Sequence, residues 1–321
     1  MIISASRRTD IPAYYSRWFM SRINEGFCLV PNPFNSKQIS LVNLTPVEVT
    51  AIVFWTRNPA SLIEHLDILD KRGYKYYFQY TLNNYPKIYE PYNPQYEHSL
   101  KCFKELSSKI GKGRVIWRYD PIIITSDLSL QFHADNFSKI CSAVSGYTKR
   151  VVISIVDDYK KTLRRLSKLN TDFKENQTEK NDIEKLLKFI VTEASKNGIA
   201  VESCAEAKDY GHLGIIHGKC IDDKILKDEL GIDTGYKKDK SQRLECGCAV
   251  SRDIGMNNTC LMGCEYCYAT VSHETSVKNR KTHNPDFPVL LQWELPEDVL
   301  KKVNDFKNKS QLNLWESELN E

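Results

Sequence analysis

Residues 259–268 read Thr-Cys-Leu-Met-Gly-Cys-Glu-Tyr-Cys-Tyr, a Cys-x3-Cys-x2-Cys run formed by Cys260, Cys264 and Cys267. Three thiolates on one short loop can each take one iron of a 4Fe-4S cluster, because every iron in such a centre wants one external ligand. The fourth iron is then open to a substrate or cofactor. A cluster that only transfers electrons is expected to have four protein ligands. Zinc is the alternative. Cys246, Cys248, Cys264 and Cys267 can make a four-thiolate site, although the x3/x2 spacing suits zinc's paired cysteines less well.

Four more cysteines lie just upstream. Cys204, Cys220, Cys246 and Cys248 are the count for a second, fully ligated cluster. Other readings of the same thiols are a redox pair, unrelated thiols, or a hydrogen-atom donor, for which Cys204 is best placed at a strand end. Lys238-Asp239-Lys240 and Arg243 can balance a negative cluster or bind a substrate carboxylate, and a solvated loop explains them equally well. Cys28, Cys102 and Cys141 stand apart. Cys102 and Cys141 fall on apolar positions of helical patterns and Cys28 in a short strand, where free cysteine acts as a small hydrophobe.

The chain has 321 residues, with 45 Lys+Arg against 41 Asp+Glu and a net charge of +4. That balance is too weak, at this size, to argue for a nucleic-acid partner. No apolar run approaches the ~20 residues that span a bilayer, which argues against a membrane partner. The N-terminal Met-Ile-Ile-Ser-Ala-Ser-Arg-Arg puts its basic residues after the apolar stretch, the reverse of a secretory signal. The expectation is a cytoplasmic protein, in which ten cysteines are not a disulfide framework.

The elements that must position these thiols alternate. Strands are expected at Ile2–Ala5, Ala51–Trp55, Tyr74–Tyr80, Arg114–Arg118, Arg150–Val156 and Ile199–Ser203. Helices are expected at Ile11–Asn24, from Pro59 to Gly73, at Gln95–Ile110, Leu128–Val144 and Asp182–Asn197, with glycines at their ends. Six strands separated by helices predict an α/β fold with a parallel sheet, a (β/α) barrel or partial barrel of about six βα units. A doubly wound open sheet is the rival. No Gly-x-Gly-x-x-Gly follows any strand, so dinucleotide binding has no support. Residues 27–50 look like an inserted hairpin or long loop, and 157–181 like a solvated, mixed-charge helix and loop. Residues 296–308 look helical. The expected division is a barrel-like domain over 1–205 and a cysteine-rich, cluster-binding region with a peripheral helix over 206–321.

Polar groups follow each strand: Arg7, Arg8, Thr9 and Asp10; Thr56, Arg57 and Asn58; Gln79, Thr81 and Asn83; Arg118 and Asp120; Ser154 and Asp157; Glu202, Cys204 and Glu206. Ligands of parallel α/β folds bind at the C-terminal strand ends, so six strands delivering polar groups there predict one shared pocket. Arg118, between Trp117 and Tyr119, needs a counter-charge, either a ligand carboxylate or Asp120; a structural salt bridge would satisfy it equally. Cys204, Arg118 and Asp120 are the candidate catalytic residues. Arg7, Arg8, Asp10, Arg57, Gln79 and Glu202 are candidates for holding a cofactor.

Cys260-x3-Cys264-x-Tyr266-Cys267 resembles the signature of the radical S-adenosylmethionine superfamily, including the aromatic residue before the third cysteine. Most of the chain also resembles an uncharacterised bacterial family with a C-terminal cysteine cluster. The matching segments are Ser6-Arg7-Arg8-Thr9-Asp10-Ile11-Pro12, Phe54-Trp55-Thr56-Arg57-Asn58-Pro59, Trp117-Arg118-Tyr119-Asp120-Pro121 and Cys246-Gly247-Cys248. The superfamily resemblance implies that S-adenosylmethionine chelates the open iron. A reduced cluster would cleave it to a 5′-deoxyadenosyl radical that abstracts hydrogen from a substrate the sequence does not identify. It also implies Tyr266 near the adenine and an electron donor such as flavodoxin or ferredoxin. Two departures stand out: the superfamily places this loop after its first strand, whereas here it follows the sixth, and no Gly-Gly-Glu-like segment is found. The alternative in a different class is a non-catalytic or nucleic-acid-associated protein with a structural zinc site.

Overall fold

The computed structural model describes residues 1–156, 160–169 and 180–318. The chain opens with β1 (Ile2–Ala5), α1 (Ile11–Tyr14), α2 (Ser16–Glu25) and an antiparallel hairpin, β2 (Phe27–Asn32) with β3 (Asn35–Asn43). It continues through β4 (Ala51–Thr56), α3 (Ala60–Ile63), α4 (Leu66–Lys71), β5 (Tyr76–Thr81), α5 (Tyr96–Ile110) and β6 (Val115–Ile122). Then come α6 (Leu130–Val144), β7 (Arg150–Ile155), α7 (Lys160–Leu166), α8 (Lys180–Lys196) and β8 (Ala200–Cys204). The remainder holds β9 (Ile216–Gly218), α9 (Asp223–Leu230), β10 (Arg252–Asp253), α10 (His273–Arg280) and α11 (Glu297–Glu318).

Eight strands form one parallel sheet in the order β10-β1-β4-β5-β6-β7-β8-β9. From β1 to β9 the spatial order follows the chain, without the reversal that marks a doubly wound sheet. All six expected strands are present. The two additional ones, β9 and β10, are the sheet's edges, and both come from the region after residue 205. Their sequences, Ile-His-Gly and Arg-Asp, are too short and polar to signal a strand; only pairing with β8 and β1 makes them one.

The local differences have local causes. The helix expected at Ile11–Asn24 breaks at Tyr15, whose backbone caps one segment and opens the next. Asp10 starts the first segment by accepting a hydrogen bond from the Ala13 N–H at 3.0 Å, with proline in its first turn. The helix that ends at Gly73 is likewise split into α3 and α4. Residues 27–43 form the expected hairpin, and its Phe27, Leu29 and Ile39 pack with Val289 and Val299 ahead of and within α11. Most of the expected charged segment 157–181, including Asp157, lies outside the described residues. Among the described residues, no helix is long and apolar enough to cross a membrane.

Strand side chains alternate between the two faces of the sheet. On the helix face, Ile52, Phe54, Tyr76, Phe78, Trp117, Tyr119, Val151 and Ile153 join one large core with Phe19, Leu66, Phe103, Phe137 and Ile190. The intervening residues Ile2, Ala51, Val53, Tyr77, Ile116 and Val152 form a smaller cluster with Ile225 and Leu226 of α9 and with Cys220 and Cys248. Cys28, Cys102 and Cys141 are buried on β2, α5 and α6, as packing residues would be.

Candidate functional site

A cavity of about 410 Å³ lies at the C-terminal ends of the strands. Its floor is the upper layer of the second sheet face: Ser6 beyond β1, Trp55, Thr81, Arg118, Asp120, Ser154 and Cys204. All seven clustered cysteines line it. The chain therefore brings to one place thiols spread over residues 204–267.

Cys260, Cys264 and Cys267 stand on the loop that follows β10, and β10 runs parallel to β1. Asp253 anchors that strand. Its carboxylate accepts hydrogen bonds from Ser4 Oγ (2.6 Å), Ser6 Oγ (2.8 Å), the Arg7 N–H (2.9 Å) and Arg8 Nε (3.1 Å). Burial pushes this carboxyl up, but Arg8 and these donors outweigh it and hold it below its ordinary value. Gly255 follows closely enough that a Cβ would sit 2.1 Å from Ser6 Oγ. Gly263, inside the Cys-x3-Cys run, has φ +64°, and a Cβ there would meet the Tyr92 ring at 2.5 Å. Tyr15 Oη donates to the Thr259 carbonyl at 2.7 Å, and Arg165 donates to the carbonyls of Glu265 (2.9 Å), Thr270 (2.6 Å) and Cys267. Burial raises the thiols of Cys260 and Cys264, the latter to about 12, although Arg57 opposes the rise at Cys264.

Tyr266 is held by a buried network. Its hydroxyl donates to Glu90 Oε1 and accepts from Arg57 Nη2 at 2.6 Å and Asn83 Nδ2 at 3.2 Å, while Arg57 Nη1 pairs with Glu90 at 2.7 Å. Asp10 accepts from the Arg57 N–H at 2.7 Å, and burial pushes its carboxyl up to about 6.

The other four thiols form a string. Cys204 Sγ lies 3.1 Å from Cys220 Sγ, and the Cys248 thiol feels the electrostatic influence of Cys220 and Cys246. The neighbouring Cys248 lowers the Cys246 thiol to about 7. Cys246 and Cys248 thus associate with Cys204 and Cys220, while Cys264 and Cys260 have each other and Cys267 as thiol neighbours. Among the described residues, no three or more His, Cys, Asp and Glu side chains are arranged to hold a single metal ion.

Of the other expected residues, Arg7, Arg8, Asp10, Arg57, Arg118 and Asp120 line the cavity. Arg118 takes its counter-charge from Asp120 at 2.7 Å, and Ser154 Oγ donates to the same carboxylate. Gln79 and Glu202 do not line it. They share the cavity face but sit one layer below the rim. Gln79 joins Arg118 (3.2 Å) to the Cys220 carbonyl (2.9 Å), and Glu202 pairs with Arg150 at 3.1 Å, beside Asp222. The two-residue step of a strand separates Gln79 from Thr81 and Glu202 from Cys204. Arg243 and Gln242 line the cavity, whereas Lys238 bonds the Leu244 carbonyl at 2.6 Å. Asp253 and Glu90 were missed by the sequence reading: Asp253 ends a strand too short to detect, and Glu90 sits in a loop with no periodicity.

Neither the curated proteins nor the solved structures contain a match to this chain. A family model does match residues 2–269, spanning the sheet, the cavity and all ten cysteines, and by that match the chain belongs to the family described as Domain of unknown function (DUF1848).

Proposed function

We propose that the protein is an iron–sulfur enzyme of radical S-adenosylmethionine type, acting on a small molecule in the strand-end cavity. One observation carries the reading: Cys260, Cys264 and Cys267 face that cavity from a loop directly following β10, the strand next to β1 at the sheet's edge. The loop is late in the chain but first in the spatial order of strands. That answers the departure in sequence position as a permutation, and it favours reading the sequentially wound sheet as a partial barrel.

The donor set fits the group. Three thiols on a braced loop supply three ligands and leave one iron open, and the cavity adjoining them is about 410 Å³. Cys260, Cys264 and Cys267 would hold the cluster, which when bound supplies one-electron reductive cleavage of the S-adenosylmethionine sulfonium. The Arg57–Glu90–Asn83 network fixes the Tyr266 ring at the cavity wall. Arg165 and Tyr15 hold the loop's carbonyls and so brace the segment that carries the three thiols. The burial of Cys264 and the partial burial of Cys260 and Cys267 limit water access to the reacting centre. An external one-electron donor of flavodoxin or ferredoxin type completes the scheme.

Anaerobic reconstitution followed by dithionite reduction and S-adenosylmethionine tests it. The expected result is a brown protein whose reduced electron paramagnetic resonance spectrum changes on adding S-adenosylmethionine and which releases 5′-deoxyadenosine. The Cys264→Ala protein should do neither. A colourless protein with stoichiometric zinc, or a cluster-loaded one that neither responds to S-adenosylmethionine nor releases 5′-deoxyadenosine, would sink the reading.

A further inference from the structure

Four thiols in the cavity have no task in that scheme. Cys204 ends β8, Cys220 lies between β9 and α9, and Cys246 and Cys248 precede β10, yet all four line one cavity, with the Cys204 and Cys220 sulfurs 3.1 Å apart. The fold beneath them is built to hold them. Tyr77 Oη (2.7 Å) and Gln79 Nε2 (2.9 Å) both donate to the Cys220 carbonyl, and the Ile221 N–H donates to Cys248 Sγ at 3.4 Å.

Two cations, the buried Arg118 and the partly buried Arg7, attend the same thiols. Arg118 Nη1 donates to Cys220 Sγ at 3.1 Å. Arg7 carries the more telling feature: its Nη2 is cut off from solvent and has no hydrogen-bond partner among the described residues. The groups whose charges bear on Arg7 most are Cys248 and Cys220, ahead of Asp253 and Cys246. A buried donor without an acceptor is costly, and it marks the place of an anionic guest. Neutral thiols are weak acceptors, whereas a cluster held by four thiolates is an anion whose sulfurs accept N–H bonds.

We propose that Cys204, Cys220, Cys246 and Cys248 bind a second iron–sulfur cluster, a four-iron centre ligated wholly by protein, with Arg7 and Arg118 as its hydrogen-bonding counter-cations. The proposal rests on the iron–sulfur reading of the cavity, but its ligands are separate from the Cys260 loop. A Cys204–Cys220 disulfide would leave Cys246, Cys248 and the Arg7 donor unexplained. A single ion would need the sulfurs to converge on one point, whereas a four-iron centre takes one thiolate at each corner.

Iron content after anaerobic reconstitution decides the matter. The parent protein should hold about eight irons per chain, from two four-iron centres. The Cys260→Ala/Cys264→Ala/Cys267→Ala protein should keep about four, with its sulfide-to-iron absorption, and Cys246→Ser/Cys248→Ser should also keep about four. No iron in the triple variant, zinc in its place, or an alkylation-resistant Cys204–Cys220 disulfide would each overturn the second centre. A parent protein with two clusters that releases no 5′-deoxyadenosine would instead overturn the radical reading and leave this one standing. Arg7→Gln retains all ten cysteines. It should keep the full iron content and move one of two midpoint potentials to more negative values. An unchanged pair of potentials would remove Arg7 from the site.

Discussion

On the helix side of the sheet, Phe54, Phe78, Trp117 and Tyr119 are buried to exclusion of water; Phe54 meets Phe19 and stacks on Phe78, and Trp117 and Tyr119 meet Phe137. On the other side of the same strands, Val53, Tyr77, Ile116 and Val152 begin as an apolar layer. They give way, two residues later, to Trp55, Gln79, Arg118 and Ser154. The helix face is uniform along the strand and the cavity face is graded. Packing dominates the first, with a few buried hydrogen bonds such as those of Trp117 and His133. The second must satisfy every buried polar group with a partner, which is why Asp253, Glu90 and Asp120 recur in its hydrogen bonds. Stability resides mainly on one face, and specific chemistry on the other.

Trp117→Ala tests that division most severely. Trp117 stacks on Phe137 with ring centroids 4.9 Å apart and is fully buried. Its removal should destabilise the fold by about 3–5 kcal/mol in denaturant titration, with metal content unchanged in the folded protein. A loss of metal in the folded variant would mean that the two faces are not separable.

His133 on the helix face gives a pH signature. Its Nδ1 lies 2.9 Å from Tyr119 Oη and its Nε2 lies 2.9 Å from the Ile123 carbonyl, and burial lowers its pKa from 6.5 to about 4. Above 6.5 the imidazole is neutral in both states and the stability is complete. Below that, the unfolded chain gains a proton that the folded chain refuses until about pH 4. Stability should therefore fall by about 3 kcal/mol between those values. His133→Asn should flatten the slope by roughly one proton, read from unfolding midpoints across the window.

Two smaller effects belong to the cavity face. Asp253→Asn removes a charge that five donors share, and should cost about 2–3 kcal/mol. It should also weaken cluster retention more than Trp117→Ala does, because β10 leads into the cysteine loop. Gly263→Ala forces a residue with a Cβ into a left-handed conformation against Tyr92, at about 1–2 kcal/mol. Its iron content should fall while its thermal unfolding midpoint drops by only about a few degrees. Equal iron retention in both proteins would contradict the loop's role.

The six main strands were legible because each carries a run of β-branched or aromatic residues, and the helices because glycines close them. The rim residues Arg7, Asp10, Arg57, Arg118, Asp120 and Cys204 were legible because strand ends point one way in a parallel sheet. Gln79 and Glu202 were placed at the rim because strand boundaries blur by a residue or two, and that margin decides the layer. The Arg57–Glu90–Tyr266 network carried no local signal, since its members meet only through the loops after β4 and β5 and the cysteine loop.

By itself, the sequence determined the alternation of strands and helices and the Cys-x3-Cys-x2-Cys run, because periodicity and spacing are local properties. It counted four further thiols but could not say whether they meet. The tertiary structure decided that: β9 and β10 join opposite edges of the sheet, and the segment between them folds under the cavity. Cys220, Cys246 and Cys248 thereby reach Cys204, and the Cys260 loop comes to lie beside β1. The cause is long-range strand pairing, in which Arg252–Asp253 becomes a strand only because Ile3 and Ser4 are there to pair with it.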